Sequence, residues 1–328
     1  MPLRGAPRAV TALAAVTVAG ASLLPFGYLF FTGISANEIR TQLSYPATTG
    51  ALVQTLVLTV LVCGLTALLG AACAVLVTRT TAPVPRLLTV LFTLPLAVPG
   101  FVGAYAIYAA ELVFAPGLGV VTSLPGAGCV LALSLFPYVF LPCLIALRGV
   151  DPSLEEVVVT LRGSKLSAFR AVSLPALRPA LAAGLLIVAL HVLSEYGAMV
   201  QLGRSTLTTK IMAEMIDYGD YRSARSLSLL LVGLASLVLL VTRWLAGRGW
   251  VTDVARGTAR PPRRASLGAW RLPVTALALL VPLLAVGPTV LMTVRGLLVR
   301  RPTSATAWSD AVRPCPPPWG TRSPPPWW

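Results

Sequence analysis

Seven long apolar runs, separated by short polar segments, dominate this 328-residue chain. A helix needs about 20 consecutive apolar residues to cross a bilayer, whereas a membrane β-strand needs only about ten residues of alternating polarity. The mean hydropathy is +0.81 and only 11% of residues are charged, against about 25% in soluble domains. The sequence therefore predicts an all-α, polytopic transmembrane helical bundle, with about six core spans and a seventh apolar run.

The first run is too long for the apolar core of a signal peptide, which has about 7–15 residues. We interpret it as an uncleaved span with a cytoplasmic N-terminus. In the third run, the prolines and glycines of LPLAVPGFVGAYA are expected to kink the helix or to let a neighbour approach closely. The predicted spans are residues 9–31, 51–77, 87–110, 126–147, 181–202, 226–242 and 272–294.

The formal net charge of +15 is distributed in a way that argues against nucleic-acid binding. The basic residues lie in short segments between the spans, as expected for cytoplasmic loops of a membrane protein. With the N-terminus inside, the inner segments hold 16 Lys and Arg residues and the outer loops before residue 295 hold 5. This asymmetry predicts the side of the membrane on which each loop lies.

No constellation for catalysis or metal binding is evident in the sequence. There is one histidine, and there is neither a G-x-x-x-x-G-K-[ST] phosphate loop nor a G-x-S-x-G motif. The five cysteines form no C-x-x-C pair, and four of them lie in apolar runs. We therefore predict a protein that is not an enzyme, and any ATP that drives it must be bound by a separate subunit.

The most informative polar segment is LEEVVVTLRGSKLSAFRAVSLPALRP, residues 154–179. Either Asp151-Pro152 or a Ser153/Glu156 capping box could start a helix, and Gly163 could end it. Pro175 is expected to limit a second short helix. Leu154, Val158, Leu161 and Phe169 form an apolar stripe at helical spacing. With so little other soluble mass in the chain, the surface that covers this stripe is expected to belong to a second polypeptide.

This segment resembles the cytoplasmic EAA loop of binding-protein-dependent ABC importer permeases. Counting back from Leu174-Pro175 places Glu156 on the motif's glutamate, while the glycine stands one residue late, at Gly163. LRPALAAGLLIVAL and SEYGAMVQLG are similar to the iron(III)-type branch. The resemblance implies an EAA-type loop at 151–178 within a permease domain at 1–245. It assigns ATPase coupling to Glu156, Gly163, Phe169, Leu174 and Pro175.

The same resemblance implies partners and a location. An ABC ATPase dimer would dock on the loop and hold the ATP, so this chain would bind no cofactor. An extracytoplasmic binding protein would deliver a small solute, most simply iron(III), to the outer loops. A second permease half or a second copy would complete the pathway in the bacterial inner (plasma) membrane, in contact with lipid.

A carboxylate in the fifth predicted span is the second candidate site. Glu195 stands 14 residues into that span, and His191 precedes it by one helical turn. An intramembrane carboxylate is costly unless it faces a bundle interior or a wet cavity. Glu195, His191, Tyr196 and Gly197 could border the translocation pathway, or Glu195 and His191 could form a packing pair; both interpretations remain open.

The C-terminal quarter has a different character. Residues 246–271 read as a basic cytoplasmic linker, and residues 295–328 as a Pro/Trp-rich disordered tail. VTALA occurs at 10–14 and again at 274–278, so the run at 272–294 could begin a second half that is cut short, as in a truncated or frameshifted product. The alternatives to an ABC permease are an ion-gradient-driven transporter using Glu195 and His191, a membrane scaffold, and a non-functional fragment.

Overall fold

The computed structural model describes residues 6–31, 36–246 and 265–299, and these are almost entirely helical. The α-helices are α1 Ala6–Phe31, α2 Ala36–Ser44, α3 Pro46–Arg79, α4 Pro85–Thr93, α5 Gly100–Phe114, α6 Leu124–Leu135, α7 Pro137–Gly149, α8 Pro152–Arg162, α9 Lys165–Ala168, α10 Leu174–Ser194, α11 Gly197–Gln201, α12 Leu207–Ile216, α13 Tyr221–Ala246 and α14 Arg271–Val299. The 3₁₀ turns are Leu94–Ala97 and Gly268–Trp270, and Phe169–Ser173 is a π-helical turn. The chain divides into two units after Thr289, and the described part of the second unit continues helix α14.

The predicted all-α membrane bundle is confirmed. Within the described ranges, four helices are long and apolar enough to cross a membrane, and six spans result if each of two bent helix pairs counts as one. The four are Pro46–Arg79, Leu166–Ser194, Tyr221–Trp244 and Gly268–Leu298. Helix α1 contributes a shorter apolar stretch, Val10–Leu24.

The third predicted span is not a single kinked helix. Its two parts, Pro85–Ala97 and Gly100–Phe114, meet at an angle of 93°. Val98, which precedes a proline, has an extended backbone (φ −101°, ψ 119°), because the ring of the following Pro99 disfavours the helical region at that position. The fourth span is also bent, by 45°, between Leu124–Leu135 and Pro137–Gly149.

The fifth predicted span, 181–202, is displaced in the structure. The helix runs from Leu166 to Ser194, so it starts inside the predicted loop and ends before Glu195. Glu195 has an extended backbone (φ −73°, ψ 114°). The prediction that Glu195 lies within a membrane helix is therefore wrong; it occupies the break between α10 and α11.

Helix α7 is the centre of the core and packs closely against α3 and α10. The closeness depends on glycine. A Cβ added to Gly70 of α3 would lie 2.8 Å from Val139 Cβ, and one added to Gly184 of α10 would lie 2.8 Å from Val139 Cα. Phe92 packs edge-on against Phe140, with ring centroids 5.5 Å apart. Small residues at helix crossings allow the backbone approach on which membrane packing depends.

We expect Gly70→Ala to destabilise the fold by about 1–3 kcal/mol, because the new methyl group overpacks the α3–α7 crossing. Gly64→Ala is the matched control in the same helix, since a Cβ there meets nothing within 4 Å. The control should be neutral or stabilising by up to about 1 kcal/mol. Denaturant unfolding of the two purified variants in detergent measures the difference, and equal stabilities would contradict the close crossing.

Two groups of polar contacts mark the opposite ends of α3. Near its start, the backbone N–H of Leu207, which opens the short amphipathic helix α12, donates to Thr55 Oγ1 at 2.9 Å. At its end, Arg79 contacts the loop that contains α8. Thr55 and Arg79 are about 36 Å apart along the helix at 1.5 Å per residue. The polar segment around α12 and the predicted coupling loop therefore lie at opposite ends of the bundle, as the alternation of predicted loops requires.

The residues before α14 attach to the same end as the coupling loop. Ala265 N–H donates to the carbonyl of Arg79 (2.7 Å), and Thr81 N–H donates to the carbonyl of Ala265 (3.1 Å). Leu267 N–H donates to Thr81 Oγ1 at 3.2 Å. Most of the predicted linker, residues 247–264, lies outside the described residues, as does the predicted tail from residue 300 onward.

Candidate functional site

Helix α8 has well-defined ends. Asp151 Oδ1 accepts a hydrogen bond from the backbone N–H of Ser153 at 2.9 Å, and Pro152 occupies the first turn. Gly163 ends the helix with a left-handed backbone (φ 66°), which glycine adopts without a side-chain clash. The predicted helix ending at Arg162 is confirmed, and of the two predicted starts the structure uses Asp151-Pro152.

The second predicted short helix does not exist as a separate element. Residues 165–168 form one helical turn, the chain passes through the π-turn Phe169–Ser173, and α10 follows without a break. Leu174 N–H bonds to the carbonyl of Phe169, five residues back. Pro175 has no N–H to donate and its ring crowds the preceding turn, so a widened turn accommodates it. The loop is thereby joined directly to a membrane span.

Glu155 and Glu156 are neighbours in α8 but face different directions, because successive helical residues are about 100° apart. The Glu155 side chain is only 18% exposed and points toward the bundle, whereas Glu156 is exposed. The motif resemblance singled out Glu156. The residue that contacts the membrane helices is Glu155, which the sequence reasoning did not select.

Glu155 belongs to a polar group that we call the arginine cluster: Arg79, Glu155, Ser173 and the carbonyl of Leu147. Arg79 Nη2 lies 3.1 Å from Glu155 Oε1 and donates to the Leu147 carbonyl at 3.2 Å and to Ser173 Oγ at 3.4 Å. Ser173 Oγ donates in turn to Glu155 Oε1. A single guanidinium at the end of α3 thus contacts the elements before, within and after α8.

Arg79 was missed because a basic residue at the end of an apolar run is normally interpreted as a membrane anchor. Its burial is what distinguishes it, since its side chain is only 8% exposed. Within the described part of the chain, its Nε and Nη1 have no hydrogen-bond partner. Sequence spacing gives no indication of this, because Arg79 and Glu155 are far apart in the chain.

The opposite face of the loop is apolar and exposed. We call the four residues that form it the docking surface: Leu154 (55% exposed), Val157 (55%), Leu161 (79%) and Leu166 (57%). Of the stripe predicted from sequence, Phe169 instead packs against the chain's own core. Leu174 and Pro175 are exposed at the start of α10.

The second site surrounds Glu195 at the break after α10. Its Oε2 lies 3.5 Å from His191 Nε2, so the structure places the two side chains next to each other. Its Oε1 accepts a hydrogen bond from the backbone N–H of Ala198 at 2.9 Å. The carboxylate is thus shared between the end of one helix and the start of the next.

Another helix break adjoins this one. A Cβ added to Gly197 would lie 2.9 Å from Phe101 Cβ, and one added to Gly100 would lie 3.5 Å from Glu195 Oε2. The start of α5, immediately after the 93° bend, therefore packs against the start of α11. In transporters, irregular backbone at membrane depth is tolerated where it is enclosed by protein or lines a wet cavity.

The exposure of the surrounding side chains differs sharply. The Glu195 side chain is 11% exposed and that of His191 is 39% exposed, while Tyr196 is 39% exposed. The His191 ring lies 6.0 Å from the Tyr138 ring, centroid to centroid. Glu195 therefore holds the backbone together, and His191 and Tyr196 are the residues that an approaching molecule could touch. In the described residues, no group of three His, Cys, Asp or Glu side chains is placed to hold a metal ion.

Comparison with known proteins decides the family. The family described as "Binding-protein-dependent transport system inner membrane component" matches residues 66–248. The chain belongs to this family. It is 30% identical to the Fe(3+)-transport system permease protein FbpB 2 of Haemophilus influenzae over 243 residues, which is 73% of this chain and 46% of that protein. It is 27% identical to the molybdenum transport system permease protein ModB of Escherichia coli over 187 residues, 52% of this chain and 81% of that protein.

Solved structures support the fold. A chain of a bacterial alginate ABC transporter, solved with an alginate pentasaccharide-bound periplasmic protein, aligns with a TM-score of 0.56 at 14% identity, covering 77% of this chain and 99% of that one. An amino acid ABC transporter aligns with a TM-score of 0.50 at 18% identity, covering 62% and 94%.

Both candidate sites of this permease lie inside the family match at 66–248, whereas α1 and α14 lie outside it. By family, the chain is an inner-membrane component of a binding-protein-dependent transport system, and it has several candidate spans. It covers about half the length of the iron permease that it matches.

Proposed function

We propose that this permease couples ATP hydrolysis on a separate ATPase dimer to the import of a small solute. The observation that carries the proposal is the docking surface. Three exposed apolar side chains stand on the capped helix α8 and a fourth, Leu166, on the turn α9 that follows it, while the other face of α8 is joined to the membrane spans through Arg79. An apolar face on a rigid polar loop is typical of a surface that another protein covers.

The orientation follows from charge. The end of α3 that carries the coupling loop is rich in arginine, including Arg86, Arg148, Arg170 and Arg178, whereas the end near α12 carries acidic residues such as Glu38, Asp217 and Asp220. Positive loops remain on the cytoplasmic side. The coupling loop would therefore face the cytoplasmic ATPase, and the N-terminus would also be cytoplasmic.

Within the loop, the residues implied by the resemblance have separable proposed roles. Glu156 is exposed where the ATPase would dock and could be contacted directly. Gly163 sets the turn, and Phe169 anchors the loop to the core. Leu174 and Pro175 begin the span to which movement would be transmitted.

The solute would pass near the helix breaks. His191 and Tyr196 are the half-exposed side chains there, while Glu195 and Gly197 fix the backbone between α10 and α11. Iron(III) is the proposed cargo because an iron permease is among the relatives that cover most of this chain. Molybdate is the alternative, since molybdenum permeases are also similar. An extracytoplasmic binding protein would deliver the solute to the α12 end.

A second permease half, or a second copy, is the proposed partner within the membrane. Helix α1 is apolar, and its side chains are exposed from Val10 to Leu24. The side chains of Leu13, Val16 and Leu24 are 69–71% exposed. Lipid would satisfy this helix, and so would the core of another half.

The test is solute uptake into proteoliposomes that hold the chain, the ATPase encoded next to it, its binding protein and, where encoded, the second permease half. We expect uptake of radiolabelled iron(III) that requires ATP on the side of the vesicle membrane where the ATPase lies. This uptake should persist when a protonophore collapses the proton gradient. Labelled molybdate serves as the competing cargo.

Each outcome decides between the candidates. Uptake of molybdate but not iron(III) would overturn the cargo and keep the coupling role. Uptake that stops with the protonophore and ignores ATP would favour an ion-gradient mechanism through Glu195 and His191. Absence of both uptake and ATPase binding by correctly inserted protein would contradict the importer proposal.

A further inference from the structure

We propose that Arg79 is a positioning residue that holds both ends of the coupling loop against α3, so that α8 and the membrane spans move together. This rests on the proposed function, in that the loop is where the ATPase acts. The proposal concerns Arg79, Glu155 and Ser173, none of which the EAA motif assigns.

The first argument is topological. The loop leaves the membrane at the end of α7 and re-enters it at the start of α10. Arg79 Nη2 donates to the carbonyl of Leu147, three residues before the Val150 break, and to Ser173 Oγ, the last residue before α10. One guanidinium thereby joins the exit and entry points of the loop, and Glu155 adds the helix between them.

The second argument is energetic. Burying an ion pair costs desolvation that the mutual attraction offsets only when geometry is excellent and the remaining donors are satisfied. Here the side chain of Arg79 is 8% exposed, yet its Nε and Nη1 have no partner among the described residues. The contact to Glu155 uses Nη2 alone rather than the two-nitrogen fork that a guanidinium offers. An ion pair of this kind adds little net stability, and its main effect is to fix the position of α8 relative to α3.

The third argument is local geometry. The π-turn Phe169–Ser173 is required by Pro175, and it brings Ser173 Oγ to Glu155 Oε1, to which it donates. Ser173 is fully buried. A regular α-helical turn would rotate this hydroxyl away, so the proline that shapes the turn also completes the arginine cluster.

The test compares Glu155→Gln with Asp217→Asn in the assembled complex in proteoliposomes. Both changes keep the volume and an acceptor oxygen but remove the charge, and Asp217 is an exposed carboxylate at the opposite end of the bundle. Two quantities are measured: the coupling ratio, which is the amount of solute moved per ATP hydrolysed, and the affinity of the chain for the ATPase. Coupling between two sites typically changes an equilibrium constant about five-fold or more. We expect Glu155→Gln to lower the ratio at least about five-fold while ATPase binding changes less than about two-fold.

A second readout does not depend on transport. Hydrogen–deuterium exchange of the α8 backbone, residues 152–162, should rise in Glu155→Gln and in Ser173→Ala and remain unchanged in Asp217→Asn. Arg79→Lys keeps the positive charge but cannot contact all three acceptors at once. It should give an exchange rate between those of the wild type and Glu155→Gln.

The results separate the two proposals. An equal coupling ratio and equal exchange in Glu155→Gln and Asp217→Asn would overturn the role of the arginine cluster. Failure of the wild-type chain to bind the ATPase would instead overturn the proposed function, and the exchange of α8 would still decide whether Arg79 positions the loop.

Discussion

Replacing Glu155 by leucine is expected to lower the free energy of unfolding by about 3 kcal/mol, the low end of the range for breaking a buried ion pair. The change leaves the guanidinium of Arg79, 8% exposed, without its negative partner. The remaining acceptors, Ser173 Oγ and the Leu147 carbonyl, keep the cost from being larger. Denaturant unfolding in detergent, followed by tryptophan fluorescence, measures the loss.

The control is the double variant Arg79→Met/Glu155→Leu. Replacing both members of a buried pair by apolar residues of similar volume is often neutral or stabilising, so most of the lost stability should return. The coupling ratio should not return, because the link between loop and α3 is gone. A double variant as unstable as Glu155→Leu alone would show that the loss comes from packing rather than from the unpaired charge.

The second large effect is expected at the docking surface. Leu161→Ala should weaken binding of the ATPase by about 30-fold, equivalent to about 2 kcal/mol, if this most exposed residue of the surface is a central contact. Its 79% exposure in the isolated chain means that the substitution removes no packing of its own. Binding is measured by titrating the purified ATPase onto the chain in nanodiscs.

Ile216→Ala is the matched control for Leu161→Ala. Ile216 is also exposed, at 64%, but it belongs to α12 at the other end of the bundle. It should leave ATPase binding unchanged. Equal weakening by both substitutions would indicate a general loss of folded protein, and no weakening by Leu161→Ala would move the docking site away from α8.

The membrane fold was predictable because apolar length and loop charge are local properties of the sequence. The same is true of α8, where Asp151, Pro152 and Gly163 act on their immediate neighbours. In each of these cases, the residues that decide the structure are within a few positions of one another.

The break in the third predicted span was predictable in position but not in shape. Pro99 indicated disruption, yet a proline sets only the backbone of the residue before it and removes one hydrogen bond. Whether the chain then bends by 45° or 93° depends on what packs against the two parts. The end of α10 before Glu195 was missed because Met199 and Val200 resume the apolar character after Ser194, Glu195 and Gly197, which makes the whole stretch resemble one span.

The arginine cluster was not predictable, because it depends on distance in space. Arg79 and Glu155 come together only after α3, α7 and α10 have packed at the glycine crossings. Glu155 and Glu156 are identical in chemistry and adjacent in sequence, so only the rotation of α8 against the bundle separates the buried one from the exposed one.

Helix α3 is long and unbroken, so a small rotation of the helix produces a large displacement at its far end. The helix has 34 residues, so it extends about 50 Å at 1.5 Å per residue. The close helix crossing at Gly70 leaves little free space, so local repacking there would not take up a displacement of the Arg79 end. A tilt of about 5° about the Arg79 end would displace Thr55, about 36 Å away, by about 3 Å, and the hydrogen bond between Thr55 and Leu207 would carry α12 with it. A small closing movement at the Arg79 end of α3, on one face of the membrane, would thus produce a movement of several ångströms on the other face.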